Sequence, residues 1–367
     1  MKNEGTSKEP KKLKTLFHIL VGMAIILLIF IYFDSPVREN DLITGSNNNG
    51  QLIPVEREEV VETVSIFTRP KEGISTLIGK SVKEVRALYG NPARIDPSIY
   101  GYEWWVYNKT FSDYMLIGVK EDKVTQAFAI GNHVDTSPYK IGQSLEDIYR
   151  FTLVQSEVTM NIGDNTYIFS LNENDIKTRL LVQFDDVFAM LYIDQKDQQL
   201  EAVRFSDSQT LLLHKPYDIL YSGEVIESKT PSSNLQVKAD RATAIQVVEI
   251  TNILRLRHGL RVLESDVNLQ NLADMHSEEM AKNNIVTNDN FEIPRFKDKL
   301  KEASLDFNRA GGNTAAFYFD AGEAVNGWLN SPDHRQTLLG RSYTHTGVGV
   351  YSNYYTQNFI EKKDNLE

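Results

Sequence analysis

Cysteine is absent from all 367 residues, which excludes disulfides, zinc–thiolate centres and cysteine nucleophiles. For a surface protein, stability must then come from core burial alone. Positive charge is also scarce: 39 Lys and Arg stand against 50 Asp and Glu, a net charge of −11. Residues 1–33 hold a net +3, which leaves −14 for the remainder. Such an acidic body argues against nucleic acid as a partner, because phosphate backbones are held by basic patches. It also disfavours docking on anionic lipid heads. Patterns of the GxSxG, HExxH and P-loop types are missing too. What remains is a composition 41% hydrophobic and 24% charged, that of folded globular protein, with length for two domains.

One long hydrophobic run sets the expected topology. From Leu16 to Phe33 the chain reads LFHILVGMAIILLIFIYF, with His18 as its one basic or acidic residue. Eighteen helical residues span roughly 27 Å, enough for a bilayer core. KKLK precedes the run, and Asp34, Glu39 and Asp41 follow it. Positive residues stay inside, so residues 1–15 are read as a cytoplasmic tail, 16–33 as a transmembrane anchor, and the rest as exterior. The rival is a cleaved signal peptide. The run ends in bulky Ile31-Tyr32-Phe33 without a small-x-small site or a lipobox cysteine, so the anchor is read as retained.

Residues 34–73 read as a stalk, from SNNNG (46–50), Pro54 and the acidic run EREEVVE (56–62), with a short helix near 55–67. A second polar stretch, 222–240, reads as a linker crossed by few contacts. It separates bodies at 74–221 and 241–360, followed by a tail at 361–367. The first body holds a weak internal repeat: LIGKSVKEVRALYGNP (77–92) is echoed by KIGQSLEDIYRFTL (140–153). Ser81 and Ser144 are natural N-caps with Glu84 and Asp147 three residues on. The helices are expected to bury Val82, Val85 and Leu88, and Leu145, Ile148 and Tyr149. Strand-like runs follow each helix, with hairpin turns at Glu121-Asp122 and Asp185-Asp186. The pattern predicts two tandem helix-plus-antiparallel-meander units. Trp104, Trp105 and Tyr107 are read as sheet packing rather than as a ligand platform. The opening motif and YGYEWWVY resemble the CAP-associated N-terminal domain of bacterial surface proteins, over most of 77–205.

The second body opens with a helix over Asp240–His258, apolar at Ile245, Val248, Ile253, Leu254 and Leu256 and ended by Gly259. A second helix runs from about Val267 to Asn283, with Leu269, Leu272, Ala273, His276 and Met280 as its stripe. His276 is therefore placed toward the core. A third occupies AGEAVNGWLN (321–330), burying Ala324, Val325, Trp328 and Leu329. In SPDHR, Ser331 suits the N-cap, Pro332 position N1 and His334 position N3. TGVGVYSN and YYTQNFIE should form an antiparallel pair turning at Asn353.

EITNILRLRHGLRVL, LADMHSEEMAKNN, AGGN, GWLNSPDHRQTLL and TGVGVYSNYYTQNF, in that order, resemble the CAP superfamily, the cysteine-rich secretory, antigen 5 and pathogenesis-related proteins. The likeness covers about 243–359. It implies an α+β chain ending in an α–β–α sandwich with a groove over one face. It also implies a groove cluster of two His and one or two Glu able to hold a divalent metal. Here the first His position falls on Asn288, with Asp289 next, and the Glu of Gly-Glu-Asn falls on Gly312, before Asn313. Only the last position is retained, as His334. One imidazole cannot hold zinc tightly, and Asp289 would bring the set to two where three or four are needed.

His334 and Arg335 are therefore read as packing and hydrogen-bonding the groove floor, with no catalytic residue, no metal and no cofactor. The groove candidates are His334, Asn288, Asp289, Gly312, Asn313 and Glu323. The expectation is a membrane-anchored, extracellular bacterial surface protein: a binding or scaffold module for an unknown protein or cell-envelope ligand, attached to the membrane through its N-terminal helix. The alternatives are a groove hydrolase using His334, with or without a metal, and an apolar-ligand carrier.

Overall fold

The computed structural model describes residues 37–45, 51–55, 67–285 and 296–363, together with His18, Leu20, Val21 and Met23, which are helical and exposed. The rest of the expected anchor and most of the expected helix near 55–67 lie outside the described residues. No described helix is long and apolar enough to cross a membrane.

The expected stalk is corrected first. Its described parts are strands bound to the two bodies: β1 (Val37–Glu39), β2 (Ile43–Thr44) and β3 (Leu52–Pro54). β1 and β2 run parallel to a strand of the C-terminal body, with Glu39 opposite Gly312 and Thr44 opposite Ala316. β3 adds to the N-terminal body, with Leu52 opposite Ile219. Two or three residues carry no periodicity to read, but an open sheet edge supplies the backbone partners such a segment needs.

The N-terminal body places α1 (Val82–Tyr89) before β4 (Arg94–Pro97), β5 (Glu103–Tyr107), β6 (Met115–Lys120) and β7 (Lys123–Ala129). The second unit is α2 (Leu145–Phe151), β8 (Glu157–Ile162), β9 (Asn165–Ser170), α3 (Glu173–Thr178), β10 (Arg179–Phe184), β11 (Val187–Asp194) and β12 (Gln199–Asp207). α4 (Ser208–His214) and β13 (Asp218–Ser222) close it. Ser81 N donates to Glu84 Oε2 at 2.8 Å and Asp147 N to Ser144 Oγ at 3.1 Å, so both helices start at the expected caps. The two meanders fuse. β12 pairs with β7, giving one seven-stranded antiparallel sheet, while β8, β9, β13 and β3 form a separate four-stranded one. Trp104 and Trp105 lie in the core. Leu88 and Tyr149 are exposed, contrary to expectation. A two-turn helix lies on the sheet by one narrow side, already filled by Val82 and Val85 or Leu145 and Ile148.

The C-terminal body starts earlier than its apolar pattern suggests, within the expected linker. α5 runs Ser233–Arg257, capped by Ser232 Oγ accepting from Leu235 N at 3.3 Å. Its buried face is small-residue rich, Ala239, Ala242, Val247, Ile250 and Leu254, while Ile245 and Leu256 are exposed. Next come β14 (Glu264–Ser265), α6 (Val267–Lys282), α7 (Phe296–Glu302), β15 (Phe307–Ala316), α8 (Ala321–Asn330), α9 (Pro332–Leu338), β16 (His345–Tyr351) and β17 (Tyr354–Lys362). Their sheet has the order β1-β15-β17-β16-β14, with β2 also on β15. Thr251 of α5 bonds Gln357, and Ser277 of α6 bonds Thr356. Neighbouring strand residues face opposite ways, so the two helices cover opposite faces: an α–β–α sandwich. A Cβ at Gly347 or Gly349 would stand 2.1 or 2.2 Å from the α6 backbone, so TGVGV is what lets that helix lie directly on β16.

The two bodies are docked through many contacts rather than few. Arg94 grips Glu249 of α5 with both terminal nitrogens, at 3.0 and 2.9 Å. Arg179 holds Glu323 at 2.8 Å, Arg204 holds Asp320 at 2.5 Å, and Arg257 reaches back to Glu201. One apolar cluster runs through both bodies, from Phe128 and Tyr192 to Ala321, Trp328 and Val348.

Candidate functional site

α9 is short, and two arginines fix it. Arg255 of α5, fully buried, donates to the carbonyls of Leu338 and Gly340 at 2.9 and 3.0 Å, satisfying the C-terminal end. Arg335 does not line the groove floor as expected. It leaves for the N-terminal body, where Nη1 lies 2.6 Å from Asp194 and Nη2 3.1 Å from Asp197. Held this way, α9 presents His334 toward β15 and the segment at 37–45.

Both imidazole nitrogens are engaged. Nδ1 is 2.9 Å from Ser331 Oγ and Nε2 is 2.6 Å from the Asp41 carbonyl. Since a carbonyl only accepts, Nε2 carries the proton and Nδ1 accepts from the serine hydroxyl. Ser331 is thus at the N-cap position but spends its side chain on the histidine. Burial lowers the His334 pKa, opposed by the Asp41 carbonyl and by Asp333, which favours the neutral ring.

The other candidates do not assemble a ligand set around it. Asn313 is fully buried, donates to the His334 carbonyl at 3.0 Å and accepts from Asn40 Nδ2 at 2.7 Å. Gly312 brings no side chain, and β1 lies beside it. Glu323 faces the N-terminal body, with Oε2 on Arg179 and Oε1 buried without a hydrogen-bond partner. Its pKa is raised by burial, against the pull of Arg179. Asn288 and Asp289 lie outside the described residues. The described donors near His334 therefore do not fit a zinc ion.

Sequence reasoning missed Arg38, Asn40, Asp41 and Thr337. Asn40 Nδ2 also reaches Thr337 Oγ1 at 2.8 Å and the Asp333 carbonyl at 3.2 Å, and Arg38 pairs with Asp333 at 2.5 Å. Asp41 had registered only as a charge following the anchor.

Among the described residues, one His–carboxylate group is tight enough for a metal: Asp194, Glu201 and His258, at the junction of the bodies. Arg335 and Arg257 already neutralise its two carboxylates, so it reads as part of the docking surface. A cleft of about 590 Å³ lies beside the His334 face, between the bodies. Asn172, Asp175, Arg179, Asn326 and Asn330 give it a mainly polar wall, beside Leu42, Ile43, Tyr217 and Tyr318.

Residues 248–361 match the model of the cysteine-rich secretory protein family, and residues 78–217 that of the CAP-associated N-terminal domain. Over 345 residues the chain is 37% identical to an uncharacterized membrane protein of Bacillus subtilis, covering 94% of this chain and 99% of that one. The chain belongs to the cysteine-rich secretory protein family. Among solved structures, this family member is similar to an extracellular SCP-domain protein of Bacillus anthracis, at TM-score 0.75 and 36% identity, covering 84% of this chain and all of the other. It is also similar to a cysteine-rich secretory protein of Staphylococcus aureus, at TM-score 0.74 and 25% identity, covering 88% and 98%.

Proposed function

We propose that the chain is a single-pass membrane protein, anchored by residues 16–33 with its N-terminus in the cytoplasm. Both bodies then stand outside the cell, where the C-terminal domain is a non-catalytic binding or scaffold module with a decayed metal site. One observation carries the non-catalytic reading: the His334 ring is satisfied by the chain's own Ser331 and Asp41. Gly312, where the family resemblance sets a carboxylate ligand, brings no side chain. The membrane name of the Bacillus subtilis relative and the extracellular description of the Bacillus anthracis one support the location. Calorimetric titration of zinc into the detergent-solubilised full chain should give no binding heat. The Asn288→His, Gly312→Glu variant should bind at micromolar Kd or tighter. Its glutamate Cβ would meet nothing closer than Asn358 Oδ1 at 3.5 Å. Tight zinc binding by the natural chain that disappears in His334→Ala would overturn the reading.

The alternative is hydrolysis, favoured by the 2.9 Å Ser331–His334 contact, which has the order of nucleophile, base and orienting acceptor. An alkyl fluorophosphonate that labels Ser331 in the natural chain would establish it; no labelling is expected.

A further inference from the structure

We propose that the β15 edge beside His334 is a binding site for extended polypeptide segments, and that residues 37–45 are its resident occupant. The inference deepens the reading of this domain as a binding module and rests on it.

Without β1 and β2, β15 would be an edge strand, with unpaired N–H and C=O groups along its outer side. Adding an extended peptide to such an edge is a recurrent mode of recognition, with backbone bonds giving affinity and side-chain pockets giving selectivity. Both parts are present. Backbone pairing covers 37–39 and 43–44, supplemented by Gly45 N on the Ala316 carbonyl at 2.8 Å. Asn40 N still donates to the Gly312 carbonyl at 3.3 Å; beyond it the chain leaves the ladder, and the Asn40 side chain and the Asp41 carbonyl face α9. Asn40 Nδ2 is surrounded by three acceptors, from Asn313, Thr337 and the Asp333 carbonyl. That arrangement reads an amide donor and rejects a carboxylate. The Asp41 carbonyl takes the His334 Nε2 proton, and Glu39 Oε1 accepts from Phe296 N at 2.6 Å. Val37, Leu42 and Ile43 each pack against a different apolar cluster. The chemistry selected is therefore an extended segment with a Glu-Asn pair, an apolar residue two positions before the Glu and another two positions after the Asn.

Of residues 37–45, only Gly45 is buried, so the resident segment lies at the surface, held by the backbone ladder, the Asn40 bonds and the Arg38–Asp333 pair. His334 is thereby given a purpose: a fixed donor for a peptide carbonyl, which needs one neutral imidazole and no metal.

The test uses the full chain in nanodiscs and a fluorescein-labelled synthetic peptide of residues 35–46, read by anisotropy. Arg38→Ala with Asn40→Ala weakens only the resident segment and leaves the groove natural. Because a competing occupant lowers apparent affinity by the fraction of sites left open, this variant should bind the peptide at least about tenfold more tightly than the natural chain. An Asn40→Asp peptide, or Thr337→Val in the chain, should lose most of that binding. If the weakened variant melts early, a protease site placed within 46–50 gives a second route. After cleavage, excess peptide should release residues 51–367 from the disc, and the Asn40→Asp peptide should not. Absence of peptide binding in both formats overturns the proposal, as does equal binding of a scrambled peptide. Dimers formed by exchange of segments between copies would also overturn occupancy by a separate partner. A chain that binds neither zinc nor peptide keeps the non-catalytic reading and loses only this inference, whereas zinc binding defeats the reading itself.

Discussion

Asp240 sits near the start of α5, buried, accepting from Ser352 N at 3.0 Å and Gln236 Nε2 at 2.8 Å. Burial outweighs those bonds and the neighbouring Asp274 adds to it, so its pKa is pushed up to about 6. The unfolded value is about 3.9. The folded chain therefore holds a proton near pH 5 that the unfolded chain has released. That contribution is complete below about pH 4 and is lost as pH rises through 6. It amounts to about 2–3 kcal/mol at two pK units. Denaturant unfolding at pH 4.5 and 7 should show the natural chain losing this stability relative to Asp240→Asn; an unchanged difference would refute the assignment. His276 behaves oppositely. Burial takes its pKa down to about 4, with Lys299 pushing the same way. Its contribution is present above pH 6.5 and fades as pH falls toward 4. The helix stripe had indicated its placement toward the core, because i, i+3, i+4 spacing is a local property. Asp240 had no such signal, since its burial depends on Ser352, over a hundred residues away.

At the scale of elements, the closest approach in the C-terminal body is α6 on β16. Gly349→Ala would place a methyl 2.2 Å from the Ala273 and Asp274 backbones. Backbone cannot step aside as a side chain can, so a loss of about 3 kcal/mol is expected, measurable by thermal unfolding. Retention of the natural melting point would mean that the helix rides higher than described. Much at this scale was legible. α8 covers the predicted residues, and α9 begins at Pro332 as read from Ser331-Pro332. The hairpin turns fall at Glu121-Asp122 and Asp185-Asp186 as read, with Glu121, Asp122 and Asp185 at positive φ. The strands at 37–39 and 43–44 were not legible. They are too short to show alternation, and their partners lie some 270 residues downstream. The candidate site was half legible for the same reason. SPDHR marks His334 locally, but its Nε2 partner is a backbone carbonyl that no residue type announces.

Across the whole molecule, the docking of the two bodies is the feature that composition hid. An arginine at 94, 179 or 204 has no local motif that points to an acid at 249, 323 or 320. The polar stretch between the bodies reads as a linker crossed by few contacts. With six arginine–carboxylate pairs among the described residues and a shared apolar cluster across the junction, the chain should unfold in one calorimetric transition rather than two. A double-mutant cycle on Arg94→Ala and Glu249→Ala should give a coupling of about 1–2 kcal/mol. Two resolved peaks, or a coupling near zero, would mean that the bodies only rest against each other.

The segment over β15 also sets a height. If residues 16–33 lie in the bilayer as proposed, only residues 34–36 separate the membrane from β1, a reach of about 10 Å at full extension. The Asp41 carbonyl that meets His334 is then tethered within about 30 Å of the bilayer. Release of the segment would leave residues 34–51 as tether, about 60 Å long when extended. On that topology, one exchange of strands would lengthen the domain's leash from the membrane several-fold.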